Sequence, residues 1–480
     1  MSEDILDELI DNVRVVLEGS SAYPVDGEVQ QSENRSAAEF STKTGNALEY
    51  RDLEISKDEF VPIQPVNLEE TGLSSEEIED LILKFLLNRN SASGKEIIEQ
   101  LKFPRLLMDP MLHNMKMDQY VVYRGMNSDH DYIFQLTEKG RERARREIEK
   151  CTFFGAAPVP LRDYIESVQK QSVLKKKPTW ESIEKCFVDI VISHEAFRRV
   201  GRAIHSGRGM FLFGNPGNGK TSIAERMTYS FGDSIWIPRT INVWGEIIRL
   251  YDPSVHFEVP LPPGTTTHEG NRIDDRWVRI KRPIVAVGGE LTMSNLELIK
   301  NPETGINEAP VQLKSNCGTL LVDDFGRQQI STTQLLNRWI VPLEKRHDFL
   351  NLSSGRTIQV PFDQQVIFST NLEPRELVDE AFLRRIPYKI HIEDPSEEQF
   401  RGLFKKIAAD MEFECTDEVV DYLIDTHYKS VDRQMRFCHA RDLMMQIESF
   451  CTFEERPFIV DEEAIDAAAE NYLKMMSGAE

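Results

Sequence analysis

Phe211-Leu212-Phe213-Gly214-Asn215-Pro216-Gly217-Asn218-Gly219-Lys220-Thr221-Ser222 is an apolar strand that enters a glycine-rich turn and leaves it as a helix. The stretch fits G-x-x-x-x-G-K-[ST] in full. Its glycines let backbone N–H groups converge on phosphate oxygens with no Cβ in the way, and the positive end of the following helix points at the same place. Lys220 adds a point charge for the β- and γ-phosphates, and Thr221 offers a hydroxyl to Mg²⁺. Gly214, Asn215, Pro216, Gly217, Asn218, Gly219, Lys220, Thr221 and Ser222 are therefore the candidate phosphate-binding residues.

Two further apolar runs end in polar groups. Thr319-Leu320-Leu321-Val322 is followed by Asp323 and Asp324, as expected of a buried parallel strand of Walker B type that delivers a carboxylate to the magnesium. Asp323 is the metal-side candidate, paired with Thr221. Asp324 stands where a glutamate usually orients the attacking water, and aspartate is one methylene shorter. Positioning is most of the catalysis in phosphoryl transfer, so a slow ATPase and a chain that binds ATP with little turnover both stay open. Val366-Ile367-Phe368-Ser369-Thr370 ends in Asn371, whose amide can reach a γ-phosphate or the water.

The rest of the chain sets the context. A chain of 480 residues accommodates two or three folded units plus a tail. With 57 Lys and Arg against 80 Asp and Glu, the net charge of −23 argues against a protein that coats nucleic acid, while leaving room for a local basic surface. The six cysteines are scattered without C-x-x-C pairs, which predicts reduced packing residues and no zinc site. The first residues are acidic and no stretch approaches ~18 apolar residues, so a soluble, cytoplasmic protein without membrane insertion is expected.

Residues 1–65 read as an acidic, largely disordered tail with one amphipathic helix candidate, Ile5 to Leu17. From Leu73 the pattern runs helix, helix, helix, two alternating strands, helix, closed by Leu136-Thr137-Glu138-Lys139-Gly140-Arg141. Over residues 66–150 this order resembles a small α+β winged-helix domain. Such domains often place the third helix in the major groove, and here it offers Arg105, Asn114 and Lys116. Asp109, Asp118 and a body rich in Met and Leu favour contact with protein over contact with DNA. Residues 151–179, with Pro158, Pro160 and the run Lys175-Lys176-Lys177, read as a linker.

From Trp180 to the end, about three-fifths of the sequence, the chain resembles an AAA+ ATPase. That resemblance implies an α/β fold: a P-loop parallel sheet over residues 180–395, carrying an insertion at about 240–315, and a helical lid over 396–480. It assigns Lys220 and Thr221 to Walker A, Asp323 and Asp324 to Walker B, Asn371 to sensor 1 and Arg441 to sensor 2. Either Arg384 or Arg385 becomes the arginine finger, Arg385 being preferred for its place just before the last strand. A finger acting in trans implies a homo-oligomer, a hexameric ring by family resemblance, with ATP and Mg²⁺ as cofactors. Ser234–Pro238 reads as the sheet's second strand, and Ile247 to Tyr251, Trp277 to Ile280 and Pro283 to Val287 as strands of the insertion. An insertion so placed resembles the helix-two-insert branch, which includes MoxR-like chaperones, although no GAFTGA-like loop is present. The expected function is an Mg-dependent ATPase that remodels or assembles a protein partner. The alternatives are a nucleotide-gated regulator that binds DNA through the winged helix, and an ATP-binding scaffold.

Overall fold

The computed structural model describes residues 60–476 apart from 263–264 and 268–269. The apolar runs flanking the phosphate loop form a five-stranded parallel sheet in the order Ile284–Val287, Thr319–Val322, Gln365–Thr370, Met210–Phe213, Tyr388–His391. Its inner strands are near-continuous apolar runs because both faces are covered. Val200, Ile204, Ile223 and Met227 pack one face; Phe325, Leu336, Trp339 and Phe362 pack the other. Parallel strands place their C-terminal ends along one edge of the sheet. The phosphate loop, Asp323 and Asn371 each follow one of them, so three segments distant in sequence meet there.

The second strand of this sheet corrects the sequence reading. Ser234–Pro238 lies outside it and pairs antiparallel with Trp277–Lys281, whereas Ile284–Val287, expected in the insertion, pairs with Thr319–Val322. Short apolar runs carry no information about which neighbour they pair with. Much of the insertion therefore lies between the phosphate-loop helix, Lys220–Tyr229, and the sheet's edge strand. Its position no longer supports the helix-two-insert branch.

The expected linker also differs. Residues 161–171 form the helix Leu161–Gln171, and Val159–Pro160 pairs with Thr240–Val243 in a second sheet that includes Glu246–Arg249 and Asn307–Glu308. Leu161, Tyr164 and Val168 recur at helical spacing and pack with Ile241, Ile248 and Leu313. Pro158 and Pro160 mask the pattern, yet a proline just ahead of a helix is compatible with its start.

Towards the N-terminus, the helices Ser75–Arg89 and Gly94–Leu101 both begin with capping boxes, Ser74 with Glu77 and Ser93 with Glu96. The helix Arg105–Met117, a three-stranded antiparallel sheet and the helix Glu138–Lys150 complete this unit. Arg105 reaches Asp109 and Asp131, so acids flank this candidate DNA-reading arginine. The Ile5 to Leu17 helix candidate lies outside the described residues.

Four helices, Glu397–Asp410, Asp417–His427, Phe437–Phe453 and Glu462–Met476, close the chain around Phe400, Phe404, Leu443, Ile447 and Ile465. No helix among the described residues is long and apolar enough to cross a membrane.

Candidate functional site

Lys220 opens the helix Lys220–Tyr229, and its side chain is 8% exposed. Its Nζ donates to Gly214 O at 2.9 Å, Asn215 O at 3.0 Å and Asn371 Oδ1 at 2.8 Å, which uses all three donors of an ammonium. Burial lowers its pKa, and the opposing pull of Asp323 and Asp324 favours the charged form. Gly214 and Gly217 are required by close approach as well as by positive φ. A Cβ at Gly214 would stand 2.2 Å from Ile392 O, and one at Gly217 2.3 Å from Cys438 Sγ.

Thr221 Oγ1 donates to Asp323 Oδ2 at 2.9 Å. Adjacent oxygens around an ion with metal–oxygen bonds of ~2.1 Å stand ~3 Å apart, so the pair fits two corners of a magnesium shell. Asp323 Oδ1 accepts the amide N–H of Asp324 at 3.0 Å. Asp324 has φ +46°, a left-handed conformation that aspartate and asparagine tolerate better than glutamate. Asn371 Nδ2 approaches Asp324 Oδ1 at 3.5 Å. Gln328, which no motif signals, holds this turn: its Nε2 donates to Asp323 O at 2.8 Å and Asp324 O at 3.2 Å, while its Oε1 accepts from Gly326 N at 2.8 Å.

The lid closes over these groups. Phe437–Phe453 has no side-chain N-cap, and Cys438 N donates instead to Gly217 O at 2.9 Å, so the phosphate loop satisfies one of the helix's orphan donors. Between loop and lid lies a cleft of about 680 Å³, lined by Lys220, Thr221, Asp323, Asp324 and Asn371 on one side and by Lys406, Phe437 and Arg441 on the other. Arg441 thus faces the loop from its own chain. Asp394, also missed in the sequence, accepts from Asn215 Nδ2 at 2.8 Å and Asn218 Nδ2 at 2.7 Å.

Arg384 and Arg385 do not line this cleft. Arg385 Nε donates to Glu344 Oε1 at 2.7 Å and its Nη1 to Ala381 O at 3.1 Å. Arg384 is exposed at the end of the same helix, Glu380–Arg385.

A family model described as a domain of unknown function, DUF8689, matches residues 396–471, which fall within the helical lid. No curated protein matches the sequence. Among solved structures, RuvB of Thermotoga maritima, titled a Holliday junction branch migration motor, is 11% identical, with 62% of this chain and 72% of that chain covered and a TM-score of 0.32. NtrX from Brucella abortus in complex with ATP is 12% identical, with 60% and 61% covered and a TM-score of 0.36. Both likenesses are distant.

Proposed function

We propose that this chain is an Mg-dependent ATPase whose lid follows the state of the nucleotide and so remodels or assembles a protein partner. The observation that carries the reading is the meeting of Lys220, the Thr221–Asp323 pair and Asn371 under a lid helix that presents Arg441. Backbone N–H groups of the loop and Lys220 hold the phosphates, and Thr221 with Asp323 would hold Mg²⁺, which offsets charge on the transferring phosphoryl group. Asp324 and Asn371 orient the water. Arg384 and Arg385, outside the cleft of their own chain, would serve a neighbour's cleft, which makes the working form a ring of identical subunits. The conformation of Asp324 favours a second reading, an ATP-binding scaffold with little turnover.

A thermal melt tests the central claim. Mg-ATP at a hundredfold its dissociation constant should stabilise the parent by ~2.7 kcal/mol and leave Lys220→Ala unmoved. Phosphate release by the parent separates the ATPase from the scaffold. A melt that ignores nucleotide would remove both readings.

A further inference from the structure

We propose that the cleft between the helices Trp180–Cys186 and His194–Ser206 binds single-stranded nucleic acid, with arginines and lysines on the phosphates and a base laid against Trp180. The helix His194–Ser206 buries Phe197, Val200 and Ile204 against the parallel sheet. Arg198, Arg202 and His205 are left outward, at the spacing that aligns side chains along one helix face. With Trp180 and Tyr388 they line a cleft of about 670 Å³, within the ~300–1,000 Å³ that small-ligand sites occupy.

Three features set this cleft apart from an ordinary charged face. Arg198, Arg202 and Arg208 form no ion pair among the described residues, although acids outnumber bases in the chain, and the adjacent Arg199 is held by Glu195. Lys177 Nζ donates to His205 O at 3.0 Å, which fastens the connector that carries the exposed Lys175 and Lys176 to the helix end. Trp180 is 45% exposed yet fixed, its ring edge-on to Phe197 at 4.8 Å. Glu181 and Glu184 stand on the other helix, so the basic field is concentrated on the Arg198–Arg202 side.

Basic groups beside an open aromatic ring match a sugar-phosphate chain with unstacked bases, because every base has a face to stack while its phosphate needs only a cation. A duplex keeps its bases stacked and offers none to Trp180. The basic groups also continue beyond the cleft to Lys175, Lys176 and Arg208, which favours a polymer over a free nucleotide. This proposal is independent of nucleotide binding at Lys220.

The test uses full-length Lys220→Ala protein, so that the phosphate loop contributes nothing, with a fluorescent twelve-residue oligothymidylate titrated across a salt series. Binding should weaken as salt rises. Arg198→Gln with Arg202→Gln should reduce the log–log salt slope by about 1.4, since each phosphate of a single strand that is no longer neutralised takes ~0.7 from it. Trp180→Ala should weaken binding about tenfold without changing the slope, and Trp180→Phe should restore it. An unchanged slope in the double variant overturns the proposal. Equal displacement by charge-matched polyglutamate would identify an acidic-protein surface instead, and equal displacement by thymidine monophosphate a free-nucleotide site; either result also overturns it.

Discussion

Asn218 donates its side-chain amide to Asp394 at 2.7 Å, and Asn215 donates to the other oxygen of the same carboxylate. Asp394 lies between the strand Tyr388–His391 and the first lid helix, Glu397–Asp410. A single carboxylate therefore fastens the phosphate loop to the segment that leads into the lid. Asn218 is 3% exposed, so its amide donors have little access to water if the carboxylate is removed.

Asp394→Ala should weaken Mg-ATP binding by up to about thirtyfold, since two hydrogen bonds worth ~1 kcal/mol each no longer order the loop. Asp394→Asn, which keeps one acceptor oxygen, should fall between the two. Calorimetric titration checks the order of the three affinities, and equal affinities would show that the loop holds its shape without Asp394.

Asp324→Asn should leave ATP bound and abolish most hydrolysis, because the amide preserves the backbone conformation while losing the basic oxygen. Asp323→Ala should instead remove metal-dependent turnover by removing the partner of Thr221. Asp324→Glu is the more informative change. Its longer arm reaches farther towards a water, but a left-handed backbone disfavours it, so a modest loss of stability together with faster phosphate release is expected. Parent-rate hydrolysis by Asp324→Asn would mean that the water is oriented by another group.

The phosphate loop and the two strand ends that meet it were legible because each carries chemistry in consecutive residues. Gln328 and Asp394 were not, since each acts through a contact to a turn or to a residue far away in sequence. Partner choice limited the fold reading in the same way. Ile284–Val287 and Ser234–Pro238 are equally short and apolar, and only the pairing with Thr319–Val322 separates them. The helix Leu161–Gln171 had its pattern in plain view, but the two prolines ahead of it and the lysines after it suggested a connector.

The arginines at the end of Glu380–Arg385 carry different commitments. Arg385 is engaged by Glu344, whereas Arg384 is exposed, so within the ring proposed above Arg384 is the freer of the two to act on a neighbouring subunit. Arg384→Ala should lower turnover by ~10³ if it supplies the transition-state charge. Mixing Arg384→Ala with Lys220→Ala subunits should recover part of the activity, by pairing an intact loop with an intact finger. Glu344→Gln, which releases Arg385, should change the rate little. Complementation by Arg385→Ala and not by Arg384→Ala would reverse the assignment.

The lid should be acid-sensitive through His439. This residue is 3% exposed, its ring lies against Tyr428, and Tyr428 Oη and His439 Nδ1 are 3.1 Å apart. Burial first, then Arg436, holds its pKa down at about 4, against the smaller pull of Asp442 and Asp394 in the other direction. An unfolded histidine titrates near 6.5, so between about pH 6.5 and 4 the unfolded chain binds the extra proton and the folded one does not. Stability should therefore be insensitive to this group above pH 7 and decline as the pH falls through that window, by at most about 3 kcal/mol. His439→Gln loses the titration, and comparing pH slopes rather than absolute stabilities removes the cost of its altered bond to Tyr428. Urea unfolding at pH 7.5 and 5.0 should show a steeper loss in the parent than in the variant. Because Cys438, the neighbour of His439, donates to Gly217, Mg-ATP affinity should fall over the same pH range in the parent. Parallel stability curves for the two proteins would exclude His439 as the cause.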